Sequence, residues 1–470
     1  MTDPFILVGI GILIVVGCII GLRLHPFLAL LLGTIVVAIL TGAGNLQLYA
    51  QAKGLSEEAT AKLISTNTGT RVAESFGTTI GKIGILIAMA SIIASTLFKS
   101  GAADKIIRSL LKLTGERRAP VAFLSGSFIL GIPVFFDTIF YLMFPLAKTL
   151  AIRSGKNYAL YLMAIIGGGV MAHSLVPPTP GPLYMAAELN VNIGLMIIMG
   201  IVVGVITSTA GYLYAVWSNR RWPVPIRKTD AFISDTDIQV NEASLPPLWL
   251  SVLPIVIPVL FISGETVLTL LHKQGTISIS DWVMRLLSVA GNSNFALTLA
   301  AAVGLIILVW MKGKGTVRAD VQESLQDAGV IILIIGAGGA FGGMMEQTGI
   351  SVRISQMFQL KSIAILPVIF LISALVRTAQ GSATVSMITT VGMVGGLAEA
   401  LPFHPVYIAM VIGCGSKIFN WMNDSSFWVT CKISGMTEKE TFRNNSVLLT
   451  VMGIVGLFVI MILATILPLK

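Results

Sequence analysis

Apolar runs of about 20 residues recur down this chain, and each has the length that the hydrocarbon core of a bilayer requires. They fall near 5–22, 26–43, 80–98, 157–175, 191–217, 248–271, 294–311, 331–346, 404–418 and 445–468. A soluble globule of this size has too little polar surface here to cover itself. Only 11% of the residues are charged and mean hydropathy is +0.88, whereas a soluble domain has roughly 25% charged residues. The fold class that follows is an all-α polytopic membrane protein, with about 10 transmembrane helices on the length criterion.

Charge sorts the loops. Lys99, Lys105, Arg108, Lys112, Arg117 and Arg118 mark one cytoplasmic segment, Arg220, Arg221, Arg227 and Lys228 a second, and Lys312, Lys314 and Arg318 a third. The net charge of +9 is read as this positive-inside bias, and no nucleic-acid partner is expected. Met1 to Phe5 carries Asp3 and no basic residue, so the first apolar run is expected to remain as a helix. The three cysteines form no CxxC, and the four histidines lie in no HExxH. No cofactor, metal or enzymatic activity is expected.

Two apolar stretches do not read as simple spans. The stretch 120–150 is broken at Gly131-Ile132-Pro133 and lies between two basic segments, so both of its ends face the cytoplasm. It is expected to be a re-entrant hairpin with Gly131 and Pro133 at its tip; the alternative is a pair of short helices with a kink. The stretch 363–400 is broken at Gln380-Gly381-Ser382. Non-helical backbone at membrane depth must be buried in protein or line a watery cavity.

The punctuation repeats. Lys99-Ser100-Gly101 falls on Gln347-Thr348-Gly349 at a displacement of 347 − 99 = 248. The same displacement carries Gly131-Ile132-Pro133 onto Ala379-Gln380-Gly381 and Leu175-Val176-Pro177 onto Asn423-Asp424-Ser425. Each half reads as an odd number of crossings, so the second half is expected to sit upside down relative to the first. Two inverted-topology repeats with broken helices are a common transporter plan. The expected division is 1–218 and 248–470, joined by a cytoplasmic linker at 219–247 that carries Asp230, Asp235, Asp237 and Glu242. Scaffold helices are expected at 1–43 and 248–311, and transport elements at 80–218 and 331–470.

Four breaks could carry chemistry: GIPVFFD at 131–137, HSLVPPTPGP at 173–182, RTAQGSATVS at 377–386 and GCGSKIFNWMNDSSFW at 413–428. A helix that stops in the membrane leaves unpaired backbone N–H groups and a partial positive charge of about half a unit at its N-terminus. Two such ends aimed at one point hold a carboxylate without a buried arginine. Thr179, Ser382, Thr384, Ser425 and Ser426 add hydroxyls, and Gln380 and Asn423 offer both donors and acceptors to a polyhydroxylated acid. Asp137 and Asp424 are the intramembrane carboxylates, and each is read either as a proton carrier or as a helix cap. His173 is read as a proton relay or a packing residue. Arg377 pairs with a backbone carbonyl or an Asp, or else attracts the anion. Lys417 snorkels to the interface or does the same. The Gly-dense run 336–343 lacks a following GK[ST], so it reads as close helix packing rather than a phosphate loop.

In that order, GIPVFFD, HSLVPPTPGP, AQGSATV and NDSSFW resemble the gluconate:proton symporter family, the gluconate permeases, over essentially the whole chain. The resemblance implies an inner-membrane homodimer that takes up gluconate or a related small sugar acid with protons. It further implies an elevator-like motion of one unit past a scaffold, hairpin tips at Gly131–Asp137 and Gln380–Thr384, and broken helices at Thr179 and Asn423–Ser425 facing them. Substrate-binding residues are therefore expected among Gly131, Pro133, Thr179, Gln380, Gly381, Ser382, Thr384, Asn423 and Ser425, and proton coupling at Asp137, Asp424 or His173. Ile132 and Thr179 stand where family members often carry Phe and His, which leaves the particular acid open. Sodium coupling and another carboxylate are the alternative.

Overall fold

The computed structural model describes residues 2–22, 24–227, 245–313, 315, 317–350, 352, 363–395, 398, 401, 403–422 and 424–469, with no side-chain description for Ile19, Ile20, Ala379, Gln380 and Ser425. Among the described residues it is helical, with no strand. The first half holds α1 (Pro4–Ile20), α2 (Pro26–Leu40), α3 (Ala43–Ala52), α4 (Glu57–Ser65), α5 (Thr68–Lys99), α6 (Ala102–Thr114), α7 (Ala119–Gly131), α8 (Phe136–Ser154), α9 (Tyr158–Leu175), α10 (Pro180–Glu188) and α11 (Ile193–Arg221). The second holds α12 (Leu248–Lys273), α13 (Asp281–Ala290), α14 (Ser293–Lys312), α15 (Val317–Gln347), α16 (Ile365–Gln380), α17 (Ala383–Val394), α18 (Val406–Gly415), α19 (Ser425–Ser434) and α20 (Glu438–Ile466). The order long helix, helix pair, broken pair, long helix thus runs twice: α5, α7–α8, α9–α10, α11, and then α15, α16–α17, α18–α19, α20.

Seven described helices, counting α9–α10 as one, are long and apolar enough to span a membrane. The remaining three expected crossings coincide with the shorter α1, α2 and α18, and α2 bends by 99° into α3. Long α5 and α15 begin 12 and 14 residues before the runs that announced them (80 − 68 and 331 − 317). Hydropathy marks the hydrocarbon depth and not the helix end, and α5 starts in a polar segment where Asn67 Oδ1 accepts from the Thr70 N–H at 2.8 Å. Of the linker, residues 228–244, including Lys228 and its four acidic residues, lie outside the description, as do Lys314 and Asn423.

Helix α9 is the hub: all 18 of its residues are buried, the pattern of a helix apolar on every face. It packs on α7, α8, α11 and α18. Small residues let the backbones approach. A Cβ added at Gly168 would lie 2.1 Å from Leu124 O and 2.2 Å from Ser127 Oγ on α7. On α15, Gly336 and Gly339 admit Phe76 and Thr79 of α5, while Gly338 admits Ile388 of α17, so the Gly-dense run serves close packing. Gly168→Ala should destabilise the protein by about 3 kcal/mol or more, because backbone must move. Gly77→Ala on α5 meets nothing within 4 Å and should raise stability by about 0.5–1 kcal/mol through helix propensity. Thermal unfolding in detergent checks both, and equal behaviour of the two variants contradicts the packing.

Candidate functional site

The two helix pairs turn where Gly and Pro interrupt them. Pro133 follows α7, and Phe135 starts α8 without a side-chain cap. Gly381 closes α16 at φ +77°, a left-handed conformation that suits glycine. Ser382 then caps α17, its Oγ accepting from the Val385 N–H at 3.4 Å. Between α18 and α19 the chain crosses Phe419 at φ +49°, and Asp424 caps α19, Oδ1 accepting from the Ser426 N–H at 2.7 Å.

These three helix starts meet at one cavity of about 180 Å³. Phe135, Phe136 and Asp137 line it from the first pair, and Gly381, Ser382, Ala383 and Thr384 from the second. Lys417, Asn420, Asp424 and Ser426 come from the break after α18, His173 from α9 and Arg377 from α16. All begin or end helices inside the bundle, so partial positive charge from α8, α17 and α19 adds to the side-chain charge.

The side chains form a linked set. Arg377, 3% exposed, donates through Nη2 to Asp424 Oδ2. Asn420 Nδ2 donates to the same oxygen at 2.8 Å and to Ser426 Oγ at 3.1 Å. Among the described residues, Arg377 Nε and Nη1, Asn420 Oδ1, Asp137 Oδ1 and His173 Nδ1 have no hydrogen-bond partner although buried. Lys417 is 3% exposed and makes no ion pair with a described residue. Buried polar atoms are ordinarily satisfied; here two guanidinium donors of Arg377 and the acceptor oxygens of Asn420 and Asp137 stand unpartnered beside the unpaired Lys417, a mixture of donors, acceptors and positive charge.

The structure brings Asp137, His173, Gly381, Ser382, Thr384 and Asp424 to this cavity. It places others elsewhere. Gly131 packs on α9, where an added Cβ would lie 2.7 Å from Gly169 O, and Pro133 is buried beside it. Thr179 is 2% exposed and its hydroxyl donates to Val176 O at 2.8 Å. Asn423 and the side chains of Gln380 and Ser425 lie outside the description. Lys417 does not snorkel, and Arg377 sits in the cavity, so helix ends do not act here without a buried arginine. Asn420 escaped the sequence reading, although it lies inside the GCGSKIFNWMNDSSFW break. Phe135 also lines a second cavity of about 320 Å³ that reaches Lys99, Glu323 and Asp327, so this ring stands between the central site and the end of α5.

A family model described as "GntP family permease" matches residues 4–466. An uncharacterised permease of Haemophilus influenzae is 30% identical over 449 residues, covering 93% of this chain and 86% of its own. The gluconate permease of Bacillus subtilis is 28% identical over 473 residues, covering 98% and 99%. Among solved structures, the YdaH transporter of Alcanivorax borkumensis superposes with a TM-score of 0.59 at 13% identity, over 95% of this chain and 100% of that one, a likeness of fold. The family match and the permeases that the chain resembles over nearly its full length, together with seven described helices long enough to span a membrane, make it a multi-pass inner-membrane transporter rather than an enzyme. It belongs to the GntP permease family.

Proposed function

We propose that this transporter is a proton-coupled symporter of gluconate or a closely related sugar acid, and that Asp137 is where the proton binds. The observation that carries the reading is the charge of the central cavity. Arg377 and Lys417 contribute two positive charges, and Asp424 and Asp137 two negative ones. With Asp137 ionised the empty site is neutral. With Asp137 protonated it has one positive charge in excess, which a monoanion cancels. Uncompensated charge in a low-dielectric interior is disfavoured by several kcal/mol, so proton and anion favour one another's binding. The relatives named gluconate permease agree with this chemistry, and Asn420, Ser382 and Thr384 suit a polyol chain. Reconstituted protein should therefore accumulate labelled gluconate only under an inward proton gradient. Accumulation that survives collapse of the gradient, or that follows sodium instead, rejects proton coupling.

The same reading includes an elevator-like step. Every lining residue of the cavity comes from 80–218 or 331–470, and none from 1–43 or 248–311. Hairpins, broken helices and substrate are thus proposed to travel together past the other helices, in two repeats of opposite orientation. Asn192 Oδ1 and Thr266 Oγ1, 2.9 Å apart, join α11's start to α12 across that boundary. In a background lacking Cys18, Cys414 and Cys431, an oxidised Asn192→Cys/Thr266→Cys pair should stop transport, with recovery on reduction. Full transport by the cross-linked protein rejects the moving boundary.

A further inference from the structure

A groove of about 490 Å³ opens between α6 and the second half of α8, with no lining residue in common with the central cavity. Arg108 and Lys112 of α6 and Arg153 of α8 line it against one carboxylate, Glu116, and Leu146 and Leu150 give it an apolar wall. Among the described residues the lining has a balance of +2, or +1 once Asp104, ion-paired with Arg108, is counted. Asp104, one turn back on α6, stops 4.0 Å from Arg108 Nε, and that buried nitrogen has no hydrogen-bond partner among the described residues. Leu113 is 84% exposed and Ile152 61%, so large apolar side chains stand bare beside the cationic ones. Helix α6 buries Ala102, Ala103, Ile106 and Ile107 on one face and carries its basic residues on another, the form of a helix lying in a membrane interface. The basic excess assigns this end to the cytoplasm.

We propose that this groove is a binding site for an anionic phospholipid of the cytoplasmic leaflet. Its phosphate lies among Arg108, Lys112 and Arg153, and its acyl chains run past Leu146 and Leu150 toward Leu113 and Ile152. Charge complementarity selects the headgroup, and the apolar wall of Leu146 and Leu150 selects a lipid over a soluble phosphate. Basic pockets at the cytoplasmic face of helix bundles bind such headgroups. Because α6 joins α5 to the α7–α8 hairpin, and α8 carries Asp137 at its other end, the lipid ties the hairpin to the helix that leads into it. Transport is then expected to be faster in membranes containing anionic lipid.

The test uses purified full-length protein, delipidated and offered phosphatidylglycerol or phosphatidylcholine, with retention read by native mass spectrometry. Wild type should retain phosphatidylglycerol preferentially. Arg108→Gln/Arg153→Gln should weaken that retention about 30-fold, on the order of fivefold for each basic side chain. Arg220→Gln/Arg221→Gln, with the same loss of charge at another cytoplasmic loop, should leave it unchanged. Exposed Arg153→Gln alone serves if the double variant does not fold, with about a fivefold loss expected. Equal retention of both lipids, or equal losses in the two double variants, overturns the site. Displacement of phosphatidylglycerol by millimolar inorganic phosphate that binds equally well on its own assigns the groove to a soluble phosphate and likewise overturns the proposal. Failure of gluconate uptake leaves this readout untouched.

Discussion

Arg377→Gln is expected to abolish uptake and to destabilise the folded protein by about 3–5 kcal/mol, the scale for stranding one partner of a buried ion pair. Asp424 is 6% exposed and gives both oxygens to the fold. Oδ1 caps α19 through the Ser426 N–H, and Oδ2 takes Arg377 and Asn420. Without the guanidinium a carboxylate remains in the interior, held only by neutral donors. Asp424→Asn should cost a similar amount, because it leaves the buried Arg377 guanidinium without its carboxylate counter-charge. The double variant Arg377→Gln/Asp424→Asn separates structure from function. Two neutral amides remove the stranded charge, so stability should return to within about 1–2 kcal/mol of wild type, given that buried pairs contribute little net. Uptake should stay lost, since the anion then faces Lys417 alone. The checks are tryptophan-detected unfolding in detergent and initial uptake rates. A double variant that transports shows that the anion does not need Arg377, and single variants as stable as wild type show that the pair does not hold the fold.

The punctuation of the sequence marked the breaks that line this cavity to within a turn of helix, and rotation about each helix axis decided which residues face it. Gly, Pro and Ser stand out against apolar runs, so the turns after 131 and 380 were legible. Which neighbour faces the cavity was not: at about 100° per residue, Gly131 points at α9 while Phe135–Asp137 point inward. Internal repetition suggested that both broken helices contribute alike. In the structure Thr179 bonds back to Val176 and residues 176–179 contribute no lining residue, His173 at the end of α9 being the contribution from that side, whereas the break after α18 supplies Lys417, Asn420 and Asp424. Lys417 was ambiguous for another reason. A lysine near the end of an apolar run has the same sequence signature whether its stem reaches water or a buried anion site, and only the packing of α16 and α17 around it tells the two apart. Helices α6 and α13 left no apolar run of spanning length, because an interfacial helix needs only one apolar face.

Asp137→Asn is expected to leave gluconate exchange intact while reducing proton-driven accumulation to the equilibrium level. Net charge decides which forms can move. On the proposed coupling, the empty wild-type site would return across the membrane neutral, with Arg377 and Lys417 balanced by Asp424 and ionised Asp137, and loaded with one anion it would be neutral again only if Asp137 had taken a proton. Either way the proposed moving unit would carry no net charge, and substrate would not cross without the proton. Asparagine keeps the shape but fixes the site at one positive charge when empty. It then binds the anion whatever the pH, and the loaded form is neutral and mobile. The empty form now carries an unpaired charge through a low-dielectric path, which raises its barrier by several kcal/mol. Exchange needs only the loaded form and continues. Net uptake needs the empty form to return and falls by about 700-fold for a barrier of about 4 kcal/mol, at roughly tenfold for each 1.4 kcal/mol. Counterflow of labelled gluconate into preloaded proteoliposomes measures the first quantity, and uptake into empty ones under an inward proton gradient the second. The wild-type affinity should weaken as pH rises while that of the variant stays flat, because only the wild type must gain a proton to bind. Loss of counterflow together with uptake would make Asp137 a substrate ligand or a structural residue, and retention of proton-driven accumulation would move the coupling proton to another group in the cavity, with His173 the next to test.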